Sequence, residues 1–430
     1  MRRMNHPHAL LALIILSALI TTGCGVNPVT GERELRLVSE SDELQIGRQQ
    51  YQPTIQTQGG RYYRDEKLNN YVSDVGQSLA EVSDRPDLPY EFTVINSGVP
   101  NAWALPGGKI AINRGLLTEL DNEAQLAAVM GHEIVHAAAR HSAQRMQRGT
   151  LINLGMAGIG LGLALKGNEY AGLIMGGAAL GSQLIMAQYS RSHELESDRY
   201  GMQYMAEAGY NPEAAVQLQE VFVRLSENEQ SNFVTGLFRS HPPSQERVEA
   251  NRRIADELGR DGTFGKERYQ RMMAGLREDA DAYEAYDRAR KAAGEEEYEK
   301  ALALLEQAIE QVPDEAAFRE LRADIRMQEG QTESALADYN RAVELYPEMF
   351  SYRIGRGLAH EELDNFDAAE KDFKASLEVV PTSIAYLGLG DAISGQGRTS
   401  EARQYYQKAA QGEGRIGDIA RQRLESLSGG

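Results

Sequence analysis

Pro313, Pro347 and Pro381 stand 34 residues apart, and other positions keep the same interval. Ala301, Ala335 and Ala369 share one place in the unit. Leu305, Tyr339 and Phe373 share a second, and Ala308, Ala342 and Ser376 a third. The small residues let two antiparallel helices approach, the large one fills the gap between them, and proline ends the second helix. A fourth unit from about Ser383 keeps the register after one deletion, with Ala402, Tyr406 and Ala409 in the same three roles. Such units cannot bury their apolar faces alone, so they stack. Residues 276–430 therefore read as an all-α solenoid whose concave surface suits a peptide segment or a protein partner.

A 34-residue unit of this pattern is similar to the tetratricopeptide repeat. Upstream the periodicity changes. Leu68, Tyr71, Val72, Val75 and Leu79 recur at helical spacing, which predicts a helix over 65–81. Residues 85–89 break it, 90–95 alternate as a strand, and 109–112 return as a second strand after the turn Pro106-Gly107-Gly108. An alanine-rich helix over 122–147 follows. Residues 61–275 thus read as an α+β domain, mostly helical, with 24–60 as a tether and the start of the mature chain.

The alanine-rich helix carries His132-Glu133-Ile134-Val135-His136. Histidines four apart lie one turn apart on one helical face, so their imidazoles can converge on a single metal ion. A glutamate beside the first is placed to take a proton from an activated water rather than to bind the metal. Catalytic zinc needs a third protein ligand. The metzincin pattern would require glycine at 139 and histidine at 142, but the chain has Ala139 and Ser142. His141 is one residue out of step, which suits a helix-end or supporting group. Downstream, Glu194 and Asp198 are four apart. A helix would aim both at one place, with Glu194 completing the coordination and Asp198 accepting the outer N–H of a ligand histidine. Glu196 remains open as the alternative ligand by spacing alone.

These motifs, together with Arg140-His141, Asn101-Ala102-Trp103-Ala104-Leu105-Pro106-Gly107-Gly108 and Arg114-Gly115-Leu116-Leu117, resemble the HtpX and CAAX-prenyl-endopeptidase superfamily of gluzincins, and its periplasmic branch with a tetratricopeptide tail. The resemblance runs from about residue 27 to the end. It implies a zincin-like fold, one zinc ion per chain, ligands His132, His136 and Glu194, Glu133 as base, and Asp198 as support for a ligand. It also implies that Asn101, Ala102, Trp103 and Ala104 form a strand along the cleft which binds substrate as an added strand. His241-Pro242-Pro243-Ser244 with Arg247 resembles a further family segment. There His241 could contact substrate, stabilise an oxyanion, occupy the open zinc position, or merely anchor a loop.

The net charge of −18 argues against nucleic acid as a partner and against an anionic membrane bound by charge alone. Arg2, Arg3, the apolar run 9–20 and Thr21-Thr22-Gly23-Cys24 resemble a bacterial lipoprotein signal over 1–23, with Cys24 as the lipidated residue. Thr21 departs from the usual leucine. Cys24 is the only cysteine, so no intramolecular disulfide forms. Gly25 after it points to the outer membrane under enterobacterial sorting. Two apolar, glycine-rich runs in 151–187 fall short of a bilayer span, and length favours packing in or on the domain.

The expected protein is a zinc endopeptidase of the bacterial envelope, anchored in the periplasm by lipid on Cys24, that degrades misfolded or misassembled polypeptides. Its repeats would hold a protein partner such as outer-membrane assembly machinery. The alternative is a chaperone or scaffold for outer-membrane proteins that acts through the repeats.

Overall fold

The structure, a computed structural model, describes residues 24–36, 38–146, 188–226, 237–412 and 414–427. The expected signal segment and the apolar runs of 151–187 lie outside the described residues.

Residues 27–31, expected as a tether, instead close a hairpin. Strands β1 (Cys24–Val26) and β2 (Arg33–Leu35) pair antiparallel. The Asn27 side chain accepts from the Val29 and Thr30 amides, and Gly31 takes the positive φ the turn requires. Helix α1 (Glu40–Thr57) begins at a capping box of Ser39 and Asp42. Helix α2 (Glu66–Ala80) is capped by Asp65 and buries the five periodic residues that foretold it.

A three-stranded sheet follows in the order β3-β5-β4, with β3 (Glu91–Ile95), β4 (Ala102–Leu105) and β5 (Lys109–Asn113). Strands β3 and β5 are parallel, and β4 runs antiparallel to β5 through the Gly107-Gly108 turn, where both glycines have positive φ. Strand β4 is therefore an edge. The Asn113 amide donates to the Asn101 carbonyl, so by antiparallel alternation Ala102 and Ala104 turn their backbone groups away from β5.

After the short α3 (Arg114–Glu119) comes the motif helix, α4 (Glu123–Ala138). It ends nine residues before the expected 147. Arg140 adopts φ 63°, a left-handed conformation disfavoured for residues other than glycine. Buried bonds hold it there: Nε donates to Glu43 Oε2 at 2.7 Å and Nη2 to the Val38 carbonyl at 2.6 Å. Helical turns resume at His141 in a new direction. Helices α5 (Arg191–Glu207) and α6 (Glu213–Ser226) pack on α4, the short α7 (Leu237–Ser240) follows, and α8 (Gln245–Leu258) packs on α5 and α6. Helices α9 (Lys266–Met272) and α10 (Ala274–Glu278) lead into the repeats.

The repeats are helix pairs: α11 (Ala280–Gly294) with α12 (Tyr298–Gln311), α13 (Ala316–Gln328) with α14 (Thr332–Leu345), α15 (Phe350–Glu362) with α16 (Phe366–Val379), and α17 (Ser383–Gly395) with α18 (Thr399–Ala409). Helix α19 (Gly414–Ser426) covers the end. The small and large residues read from the 34-residue register are all buried between them. The first pair shares one apolar core with α2, α4 and α5. Tyr63 stacks on Tyr346 at 4.8 Å and Arg114 lies 3.5 Å from the Tyr283 ring, so the repeats rest directly on the first domain.

Candidate metal centre

Helices α4 and α5 cross where both chains have glycine. A Cβ on Gly131 or on Gly201 would lie 2.9 Å from the other helix's backbone. That close approach, impossible for any larger residue without displacement, brings Glu194 and Asp198 against His132 and His136. His241 arrives from the loop after α7.

His132, His136, Glu194 and His241 each offer one donor atom within 4.8 Å of the others. His132 Nε2 is 3.0 Å from His136 Nε2, 3.3 Å from His241 Nδ1 and 3.5 Å from Glu194 Oε2. Glu194 Oε1 lies 3.4 Å from His136 Nε2 and 3.1 Å from His241 Nδ1. A tetrahedral zinc with ligands at about 2.0–2.1 Å would hold its donor atoms about 3.3 Å apart. The five separations scatter around that value, so the residues fit the ion in number, chemistry and spacing. Glu194 Oε2 is buried without a hydrogen bond, although Arg247 Nη1 lies 2.8 Å away. Glu133 Oε2 is likewise buried and unbonded, with Oε1 3.5 Å from His241 Nε2.

The charges are arranged by support behind the cluster. His132 Nδ1 is 2.9 Å from Asp198 Oδ1, and Arg247 grips Asp198 with two bonds of 2.7 Å. Burial opposes charge on His132, but the Glu194 and Asp198 carboxylates outweigh it and push its pKa up to about 10. Burial holds His136 well below the usual imidazole range. Glu194 is buried too, yet His241, Arg247 and His132 hold it well below the usual carboxylate range. Asp198 is also lowered, since Arg247 overcomes its burial. Burial raises Glu133, against the pull of His241 and His132. A raised carboxyl beside a metal site is suited to proton transfer near neutral pH.

Glu196 does not join the cluster. Its Oε1 sits 3.2 Å from His141 Nε2, and His141 Nδ1 is 2.9 Å from His136 Nδ1. The break at Arg140 turns His141 back toward His136, where a continuous helix would have pointed it elsewhere. Ala102, Trp103 and Ala104 lie in β4 and Asn101 just before it. The outward Ala104 carbonyl accepts from Ser142 Oγ at 3.0 Å. Cys24 starts β1. A narrow cavity of about 50 Å³ opens beside Glu133, with Val129, Met202, Leu218 and Phe222 among its walls. Sequence reasoning noted Arg247 without assigning it a role, and it missed Tyr189, whose ring stacks on His136 at 3.7 Å. No local pattern marks a residue whose partners come from other helices.

Fold and site together define a helical domain with a cluster that could hold a metal ion, joined to a repeat array. Residues 66–255 match the model of peptidase family M48, and 279–350 and 354–416 match a tetratricopeptide repeat model. The chain thus joins a peptidase family M48 region to tetratricopeptide repeats. It is similar to the mitochondrial metalloendopeptidase OMA1 of Schizosaccharomyces pombe, 31% identical over 51% of this chain and 63% of that protein. It is also similar to the putative beta-barrel assembly-enhancing protease of Vibrio cholerae, 31% identical over 44% of this chain and 40% of that protein. The beta-barrel assembly-enhancing protease of Yersinia pestis is 26% identical over 62% of this chain and 60% of that protein. The chain therefore spans less than two thirds of the length of each of these relatives. Among the described residues no helix is long and apolar enough to cross a membrane.

Proposed function

We propose that this chain is a zinc-dependent endopeptidase of the bacterial cell envelope that cuts misfolded or misassembled polypeptides during outer-membrane protein assembly. The observation that carries this reading is the four-donor cluster with the Glu133 carboxyl beside it. Zinc held there supplies Lewis acidity, lowering the pKa of water and polarising the scissile carbonyl. His132, His136 and Glu194 are the ligands, and Asp198 fixes His132 with its Nδ1–H turned outward. Glu133 takes a proton from the attacking water and returns it to the leaving amine, a task its raised pKa favours. His241 would be the fourth donor to the ion.

Substrate adds as a strand to the outer edge of β4, along Asn101 to Ala104, which other parts of the chain cover in this structure. This requires the Ser142 bond to Ala104 to give way. Backbone pairing of that kind selects extended polypeptide and reads little sequence. The M48 region supports hydrolysis, and the names of the relatives support a link to β-barrel assembly. Cys24 would carry the lipid that anchors the chain in the periplasm at the outer membrane. The domains divide as 61–275 for the peptidase and 276–430 for the repeats.

Glu133→Gln is expected to keep its zinc and to lose casein cleavage by about 10²–10⁴-fold. Undiminished cleavage would remove Glu133 from the reaction and the reading with it.

A scaffold function has its own support in the repeats. Tyr298, Leu321, Ile325, Met327, Tyr339 and Leu358 line a groove of about 460 Å³ with Asp324 at its side. Such a groove suits an extended segment of a partner protein. Rescue of envelope defects by Glu133→Gln, but not by a chain lacking 276–430, would favour that function.

A further inference from the structure

The two histidines of the motif are supported differently, and the support of His136 reaches the N-terminal hairpin. Behind His132 stands a carboxylate clamped by arginine. Behind His136 stand three side chains in series. His136 Nδ1 is 2.9 Å from His141 Nδ1, His141 Nε2 is 3.2 Å from Glu196 Oε1, and Asn27 Nδ2 donates to that same oxygen at 3.3 Å. His136 and His141 are fully buried, and their Nδ1 atoms, 2.9 Å apart, can hold only one proton between them, so one ring donates there and the other accepts.

The direction of every hydrogen bond in this series is then fixed. The Asn27 oxygen is already occupied by the Val29 and Thr30 amides, so its amide nitrogen faces Glu196. The Glu196 carboxylate accepts, so His141 donates from Nε2 and leaves Nδ1 as an acceptor. His136 must therefore donate from Nδ1, and its Nε2 lone pair faces His132 and Glu194. The opposite tautomer would set two acceptors, His141 Nε2 and Glu196 Oε1, against each other. His141 is further held flat against His193, their rings 4.1 Å apart and 7° from parallel.

We propose that Asn27, Glu196 and His141 act as positioning residues that lock His136 in the Nδ1–H tautomer, presenting Nε2 to the metal, so that the N-terminal hairpin is part of the metal centre. The proposal rests on the zinc reading above for its purpose, but the tautomer is a property of the metal-free chain. Asn27 follows Cys24 by three residues, a reach of about 10 Å, so the hairpin that starts at the expected anchor ends two hydrogen bonds from His141.

The test uses the full chain with ¹⁵N-labelled histidine. Nitrogen shifts report the His136 tautomer without metal, and competition with a chelator reports zinc affinity. The wild type is expected to hold His136 as Nδ1–H. Glu196→Leu should give mixed tautomers and a loss of about 10–100-fold in zinc affinity. Glu196→Gln, which can still accept from His141, should restore most of both. Asn27→Ala should shift the same two readouts less, and it stands in if Glu196→Leu fails to fold. An unchanged His136 tautomer in Glu196→Leu, or in Asn27→Ala should the first not fold, would overturn the relay. A wild type that binds no zinc yet holds the tautomer would leave the relay standing and sink the metal reading instead.

Discussion

Two carboxylates of the candidate metal centre, Glu194 and Asp198, and two of the repeats, Glu320 and Glu361, are held in opposite ways, while Glu133 beside the centre is raised as the repeat pair is. Around the metal centre, Glu194 and Asp198 share Arg247, and both are held below the usual carboxylate range. In the repeats, burial and the neighbouring Asp324 push Glu320 up to about 8, and it accepts a hydrogen bond from the Ser351 hydroxyl. Glu361 is pushed up to about 7 by burial and by Asp391, with Oε2 unbonded. The contrast is not a general property of the repeats. Asp338 is paired with Arg322 and Arg326, and Asp372 with Arg356. Fixed negative charge is kept where Arg247 and the histidines supply positive charge, beside the donor cluster that could hold a metal ion. In the repeats, Glu320 and Glu361 stay protonatable.

If the centre depends on Arg247, its removal should be the largest of these effects. Arg247→Leu strands two buried carboxylates, and stability should fall by about 3–5 kcal/mol in chemical denaturation at pH 7. A loss under about 1 kcal/mol would mean the carboxylates are not held as charged groups.

Second comes the crossing that assembles the centre. Gly201→Ala places a methyl against the backbone of α4, and overpacking should cost about 1–3 kcal/mol, with weakened zinc retention. Retention equal to the wild type would show that the two helices can part without disturbing the ligands.

The effect of opposite sign lies in the repeats. The folded chain keeps the Glu320 proton up to about pH 8, while the unfolded chain releases it near the ordinary value of 4.5. The folded state therefore binds more protons between those values, so this group's contribution is full below about pH 4.5 and is lost as pH rises to about 8. Glu320→Gln should raise the melting temperature at pH 8 and leave it nearly unchanged at pH 4.5. A variant that is destabilised at pH 8 would erase the contrast between the two regions.

Much of this arrangement was legible from local pattern. The 34-residue register picked out residues that the helix pairs bury, because stacked repeats impose the same packing at each step. The helical spacing in α2 and the alternation in β3 were readable for the same reason. Local pattern failed where remote partners decide conformation. Arg140 breaks α4 because Glu43 and Val38, about a hundred residues upstream, hold its guanidinium. The turn 27–31 looked like a tether because nothing adjacent shows that Asn27 meets Glu196.

By itself the sequence determined the chemistry on offer: two histidines and a glutamate on one helix, acids four apart on another, and a repeat that must stack. These follow from helical spacing, which is a local property. Which acid meets the histidines, which one supports them, and where His241 and Arg247 go was decided only by tertiary structure. Donor atoms about 3 Å apart depend on how closely two helices approach, and that depends on Gly131 and Gly201 meeting across 70 residues of chain.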